Sequence, residues 1–314
     1  MQMNENEHIL QLRNVCKRYS KSEKQVLQNI SFCVNAGEIV GILGSNGSGK
    51  TTTIKSILRL LNIDSGEILF DGKKIEKIKQ KVFYSDIAAV LEGNRNLYWF
   101  MTAMENILYF GRMKGLKDAD IKKQGLEYLG LFGLAGEKDT QAADMSRGMQ
   151  QKLSLTVSLL GSPKLILLDE PTLGLDIVAK NELMAVLKRL AKEKKVAVVI
   201  TSHQTDVIDN LVERIILIDN HKIAFEGSCI DFKQKYSAKA YRIKILGQPD
   251  SYLTEKFKIT KENNVFEISI EDKKQDDIFS IVQDIANRGF EVLSFSKDSA
   301  SLEDIMLKFY NKGE

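Results

Sequence analysis

Residues Gly44-Ser45-Asn46-Gly47-Ser48-Gly49-Lys50-Thr51 read G-x-x-x-x-G-K-T, with an apolar run before them and a helical pattern after them. Ile39, Val40, Ile42 and Leu43 have the composition of a short buried strand, and Ile54, Ile57, Leu58 and Leu61 recur at helical spacing between Thr52 and Leu61. Strand, glycine loop and helix in that order specify a phosphate-binding α/β unit. The glycines let backbone N–H groups curl round an anion at the helix N-terminus, Lys50 can neutralise β- and γ-phosphates, and the Thr51 hydroxyl can hold Mg²⁺.

At 314 residues the chain is long for one core, so one main domain with an appendage is expected. The net charge of +3, with lysines and acids interspersed, argues against a nucleic-acid stripe. Cys16, Cys33 and Cys229 are far apart and lack C-x-x-C spacing, so neither a disulfide framework nor a zinc site is indicated and a reducing cytosol fits. The start, Met1 to Leu12, is polar with no apolar h-region, and no apolar run reaches the length of a membrane span. Any membrane role is expected to be exercised from outside the bilayer.

Ile9 to Val15 and Val26 to Val34 alternate like half-buried strands of an antiparallel layer, with the polar segment Ser20 to Lys24 between them. Tyr19 fits either an aromatic platform for an adenine ring or a tyrosine closing a strand. Ser65 to Ile75 reads as a hairpin turning at Asp71-Gly72. Val82 to Leu91 is a further apolar run, and Glu92 to Asn96 is a polar loop. From Leu97 to Leu160 the pattern is helical, and Tyr98, Trp99, Phe100, Tyr109 and Phe110 crowd its start, either as a partner-facing edge or as the insert's own core. Ser146 and Gly148 open a helix that carries Met149, Leu153, Val157 and Leu160, which fits a second anion-binding N-terminus or a simple serine cap.

Leu165 to Leu168 is a buried strand ending in Asp169 and Glu170. Adjacent strand residues point to opposite faces, so the two carboxylates can divide the work: Asp169 binding Mg²⁺ through water and Glu170 polarising an attacking water. Ile177 to Ala191 is an amphipathic helix. Val196 to Ile200 is the next strand and places His203 beyond its carboxyl end, where open α/β sheets bind ligands and where a histidine can sense a phosphate. Thr205 to Val212 is a short helix, and Arg214 to Asp219 with Lys222 to Phe225 form a closing hairpin, ending the domain near Gly227-Ser228. Gln234 to Lys239 reads as a charged linker. Beyond it Tyr241, Ile243 and Ile245, then Phe257 and Ile259, then Val265 to Ile270 alternate, with Glu262-Asn263-Asn264 as a turn. Ile278 to Ile285, Phe290 to Phe295 and Leu302 to Tyr310 add a helix, a strand and a helix, completing a small α+β domain with no chemistry of its own.

Together these motifs resemble the ATP-binding subunits of ABC transporters. The resemblance covers Met1 to about Gly227: Tyr19 at the adenine-stacking position, Gly44 to Thr52 as Walker A, Glu92 in the loop that usually carries glutamine, and Ser146 to Gln150 as the signature. Leu165 to Glu170 is similar to Walker B, Gly174-Leu175-Asp176 to the D-loop, and His203 to the switch histidine. It implies an α/β P-loop NTPase cassette over residues 1–230, with a RecA-like core, an antiparallel β subdomain and a helical subdomain at about 97–160, followed by an α+β accessory domain at 238–314. It further implies a Mg²⁺-dependent ATPase that works as a head-to-tail homodimer, each ATP lying between Walker A of one copy and Ser146 and Gly148 of the other, with Asp176 beside it and Glu92 near the Mg²⁺. The C-terminal extension, with Ser301 to Met306 near its end, is similar to that of exporter subunits whose transmembrane permease is a separate chain, which places the protein peripherally on the cytoplasmic face of the membrane. Two departures from the family pattern matter: the signature, which reads Met145-Ser146-Arg147-Gly148-Met149, and the loop at Glu92. Arg147 replaces the first glycine of the usual Leu-Ser-Gly-Gly-Gln and is expected to point away from the phosphate, and Glu92 replaces an amide. A soluble ABC-type ATPase acting on ribosomes or nucleic acid is the alternative; such relatives usually carry two cassettes or a long coiled coil, and neither is present here.

Overall fold

The computed structural model describes residues 8–19, 25–93, 97–236, 240–262, 265–270, 275–298, 302–303 and 305–306. The expected polar segment 20–24, the linker residues 237–239, Asn263-Asn264 and most of the final helix lie outside the described residues.

The chain forms two compact units, Met1–Cys229 and Ile230–Glu314. The first begins with β1 (His8–Arg18), β2 (Gln25–Asn35), β3 (Ile39–Leu43), α1 (Lys50–Ile57), β4 (Ser65–Phe70), β5 (Lys73–Lys74), α2 (Gln80–Asp86) and β6 (Ile87–Val90). The helices α3 (Ala103–Met113), α4 (Asp118–Leu131) and α5 (Arg147–Leu159) follow, then β7 (Leu165–Asp169), α6 (Ile177–Lys194), β8 (Ala197–Thr201), α7 (Thr205–Leu211), β9 (Arg214–Asp219) and β10 (Lys222–Ser228). Helix α8 (Cys229–Tyr236) leads into the second unit, made of β11 (Ala240–Leu246), α9 (Ser251–Lys256), β12 (Lys258–Glu262), β13 (Val265–Ile270), α10 (Gln275–Asn287) and β14 (Glu291–Asp298).

Strands β3, β7 and β8 are buried at every position, as strands covered on both faces of a parallel sheet must be. They belong to a six-stranded sheet ordered β10-β9-β3-β8-β7-β6, in which only β10 runs antiparallel to its neighbour. All five parallel strands therefore end on one edge. The loops that follow them carry Gly44 to Gly49, Glu92, Glu170, His203 and His221, so the topology alone gathers these residues. A four-stranded antiparallel sheet, β2-β1-β4-β5, lies beside this core, and Leu10, Leu12, Ile30 and Ile68 share one hydrophobic cluster with Ile54 and Ile57 of α1 and with Val40, Leu167 and Val199.

Four local details differ from the sequence reading. The cradle helix starts at Lys50 and stops at Ile57, four residues short of Leu61, because Arg59 takes a left-handed backbone (φ 60) and the N–H groups of Leu60 and Leu61 both close on the Lys55 carbonyl. The run Val82 to Leu91 splits into the end of α2 and β6; within α2 only Phe83 is buried. Gln234 to Tyr236 are helical in α8 rather than linker. Helix α9 was not foreseen: six residues are too few to show periodicity, and its cap, Asp250 Oδ1 accepting from Leu253 N at 2.9 Å, resembles a turn in sequence.

The second unit has the chain order β-α-β-β-α-β and the sheet order β12-β13-β11-β14, antiparallel throughout, which is a split βαβ arrangement. Tyr241, Ile243, Ile245, Ile268 and Ile270 line one face and pack with Leu253, Ile278 and Ile285 from the helices, while Arg242, Lys244 and Glu267 occupy the other.

Candidate functional site

The glycine loop is wedged between β9 and β2. A Cβ on Gly44 would stand 2.3 Å from the Ile218 carbonyl oxygen, and one on Gly49 would stand 2.7 Å from the Val26 carbonyl oxygen; at φ +118, Gly49 also has a backbone that other residues rarely adopt. Lys50 Nζ donates to the carbonyl oxygens of Gly44 at 2.8 Å and Ser45 at 3.1 Å, which folds the ammonium over the loop it terminates. Burial pushes the Lys50 ammonium below its usual pKa, against the pull of the Glu170, Asp169 and Glu92 carboxylates.

One cavity of about 440 Å³ is lined by Tyr19, Asn46, Gly47, Gly49, Lys50, Thr51, Thr52, Glu92, Asp169, Glu170 and His203. Gly44, Ser45 and Ser48 belong to the same loop but do not line the cavity. Thr51 Oγ1 and Thr201 Oγ1 both donate to Asp169 Oδ1, at 3.2 and 2.6 Å. Glu170 is held at φ 50, a left-handed conformation uncommon for glutamate, by donating its N–H to the Thr201 carbonyl oxygen at 3.1 Å and hydroxyl oxygen at 3.2 Å. His203 Nδ1 lies 3.0 Å from Glu170 Oε1, and the His203 N–H donates to Oε2 at 3.4 Å.

A hydroxyl and carboxylates form an all-oxygen donor set, which suits Mg²⁺. Among the described residues no three His, Cys, Asp or Glu side chains form a metal cage. A cation held here by Thr51 and Asp169 therefore needs further oxygens from a phosphate ligand, as Mg²⁺ in nucleotide sites does.

Ser146, Gly148 and Asp176 do not line this cavity. Ser146 caps α5, its Oγ accepting from Met149 N at 3.3 Å, and its side of the helix is exposed. Asp176 caps α6, its Oδ1 accepting from Ala179 N at 2.8 Å. Arg147 extends toward the 173–176 loop, where a Cβ on Gly174 would meet the guanidinium Cζ and Nη1 at 3.4 Å. It also lines a second cavity, of about 650 Å³, with Glu92, Trp99, Gln150, Asp169, Glu170 and Leu173. The early aromatics divide: Tyr98 packs on Tyr109 and Phe110 with ring centroids 4.8 and 5.8 Å apart, whereas Phe100 is 71% exposed.

Three participants escaped the sequence reading. Val26 and His221 line the first cavity, and Thr201 braces both acids. His221 stands in the two-residue turn of a hairpin that the sequence does signal, but no sequence rule places that turn against the glycine loop.

The chain is similar to known ATP-binding cassettes in sequence and in fold. A family model described as ABC transporter matches residues 27–173. The Linearmycin resistance ATP-binding protein LnrL of Bacillus subtilis (strain 168) is 34% identical over 71% of this chain and 70% of its own length. The Phosphonates import ATP-binding protein PhnC of Treponema denticola is also 34% identical, over 70% of this chain and 89% of its own length. A dimeric post-hydrolysis structure of the ATP-binding cassette MJ0796 bound to ADP and Pi superposes with a TM-score of 0.63 and 29% identity, covering 70% of this chain and 98% of the other.

Proposed function

The chain belongs to the ATP-binding subunits of ABC transporters, which are ATPases, and on that premise we propose that it powers an exporter by closing as a homodimer on two ATP molecules beneath a separate transmembrane permease. The observation that carries the reading is the convergence of Lys50, Thr51, Asp169, Glu170 and His203 on one cavity, with Ser146 and Gly148 standing outside it. A second copy arranged head to tail brings the capped, exposed N-terminus of α5 to the γ-phosphate, so neither copy completes a site alone. The dimeric state of the MJ0796 cassette supports this arrangement.

The loop N–H groups and Lys50 bind the β- and γ-phosphates, and Tyr19 stacks on the base. Thr51 and Asp169 would hold Mg²⁺, which would supply positive charge to offset that of the phosphate oxygens. Glu170 accepts the proton of the attacking water, and His203, fixed against Glu170, reads the γ-phosphate. Loss of that phosphate removes the bridge between the copies. Glu92 and the exposed Phe100 pass the movement to a permease helix. Export is supported by the likeness to LnrL, a resistance protein, and by the C-terminal extension, whose sequence resembles that of exporter subunits. No helix among the described residues is long and apolar enough to cross a membrane, which accords with peripheral attachment to the cytoplasmic face.

The test is purification from native membranes, identification of the co-purifying membrane protein, and ATP hydrolysis with Mg²⁺ or with a chelator. Mg²⁺-dependent phosphate release together with a co-purifying permease is the expected result. Outward transport of a labelled substrate in proteoliposomes supports export, and inward transport refutes it. A protein recovered wholly on ribosomes or DNA refutes the permease-linked reading.

A further inference from the structure

The turn between β9 and β10 brings a histidine into the nucleotide cavity on the opposite side of β3 from Asp169, Glu170 and Glu92. Asn220 (φ 46) and His221 (φ 65) are both left-handed, the geometry of a two-residue type I′ turn. The turn is anchored twice: the His221 carbonyl accepts from Gln28 N at 2.8 Å, and ring Nδ1 lies 3.3 Å from the Ser48 carbonyl oxygen. Arg18 pairs with Gln25 across the β1–β2 ladder, so Tyr19 and Val26 stand at the same ladder end. Tyr19, Val26 and His221 thus share the side of the cavity remote from the acids.

A carbonyl oxygen only accepts, so Nδ1 is the donor to Ser48, and in the neutral ring Nε2 then carries the lone pair. We propose that His221 is a specificity-determining residue for the nucleobase: with Nδ1–H committed to the Ser48 carbonyl, Nε2 accepts from the exocyclic amino group of an adenine stacked on Tyr19. Guanine offers O6, an acceptor, at the corresponding position, and two acceptors repel. The proposal rests on the nucleotide-hydrolysing reading above and names the base that the same site prefers. One hydrogen bond at a half-buried side chain is worth about a fivefold to tenfold preference for ATP over GTP.

The test is the ratio of kcat/KM for ATP to that for GTP in the full chain and in three variants. His221→Ala removes the ring. His221→Asn keeps a residue that tolerates the left-handed turn but falls short of the base. His221→Gln keeps one donor and one acceptor at longer reach. The ratio is expected to fall about fivefold to tenfold in the first two and to recover in the third, whereas damage to the turn alone lowers both substrates equally and leaves the ratio unchanged, which overturns the proposal. Calorimetric binding to the unmodified chain provides a measurement that needs no variant. Purine riboside triphosphate, which lacks the amino group, is expected to bind about fivefold to tenfold more weakly than ATP, and equal binding overturns the proposal. A chain that binds neither ATP nor GTP refutes the nucleotide reading itself, whereas one that binds both equally refutes only the role of His221.

Discussion

Thr201 accepts the backbone N–H of Glu170 twice, through its carbonyl oxygen at 3.1 Å and its hydroxyl oxygen at 3.2 Å, while the same hydroxyl donates to Asp169 Oδ1 at 2.6 Å. One side chain of the central strand therefore sets the geometry of both acids at the end of the neighbouring strand. It offsets the left-handed strain at Glu170, a conformation that costs about 1–3 kcal/mol without such bracing.

Thr201→Val keeps shape and volume but removes the hydroxyl. It is expected to lower stability by about 1–3 kcal/mol, measured by urea unfolding, and to reduce kcat more than it raises KM for ATP. Unchanged values of both would show that the hydroxyl is dispensable.

Glu170→Gln removes the proposed base while keeping the side chain's size. Phosphate release is expected to fall at least about a hundredfold with ATP binding retained, and size-exclusion chromatography with ATP is expected to show dimers accumulating. Full turnover in this variant would move the base elsewhere.

Gly174→Ala places a methyl group against the Arg147 guanidinium on a backbone at φ +77. A loss of about 1–2 kcal/mol is expected in denaturant titrations from the left-handed backbone alone, since 3.4 Å is an ordinary van der Waals contact, and the same loss is expected when the substitution is made in an Arg147→Ala background. A smaller loss in that background would show that the guanidinium crowds the added methyl group.

Lys114 Nζ donates to the Ser158 and Leu160 carbonyl oxygens, and burial lowers its pKa to about 8. Between about pH 8 and its ordinary value of 10.5 the unfolded chain binds a proton that the folded chain does not, so stability from this group rises with pH across that window and is lowest below it. Unfolding free energies of wild type relative to Lys114→Met are expected to rise by about 1–3 kcal/mol from pH 7.5 to pH 10. A flat difference would mean that the amine titrates normally.

The features legible in the sequence are those written locally. The glycine loop, the fully apolar runs of β3, β7 and β8, and the serine cap of α5 each depend on residues within one turn or one strand, and periodicity finds them. The left-handed backbone of Glu170 was hidden because its cause, Thr201, is 31 positions away. His221 was hidden for the same reason, since its contact with Ser48 spans 173 positions. Val82 to Leu91 was legible only as an apolar run, because four apolar residues suit β6 and nothing local reveals that α2 exposes Val82.

The insertion of β8 between β3 and β7 also governs synthesis. The glycine loop leaves the ribosome roughly 150 residues before the strand that must slot in beside it, an interval of about 10–30 s at ordinary elongation rates. Until Thr201 emerges, Asp169 and Glu170 have no neighbouring strand on that side, and the two halves of the sheet cannot close on each other. A nascent chain therefore presents its phosphate loop before the strand that carries Thr201 exists, and a chain ending before β8 lacks the hydroxyl and carbonyl that hold Asp169 and Glu170.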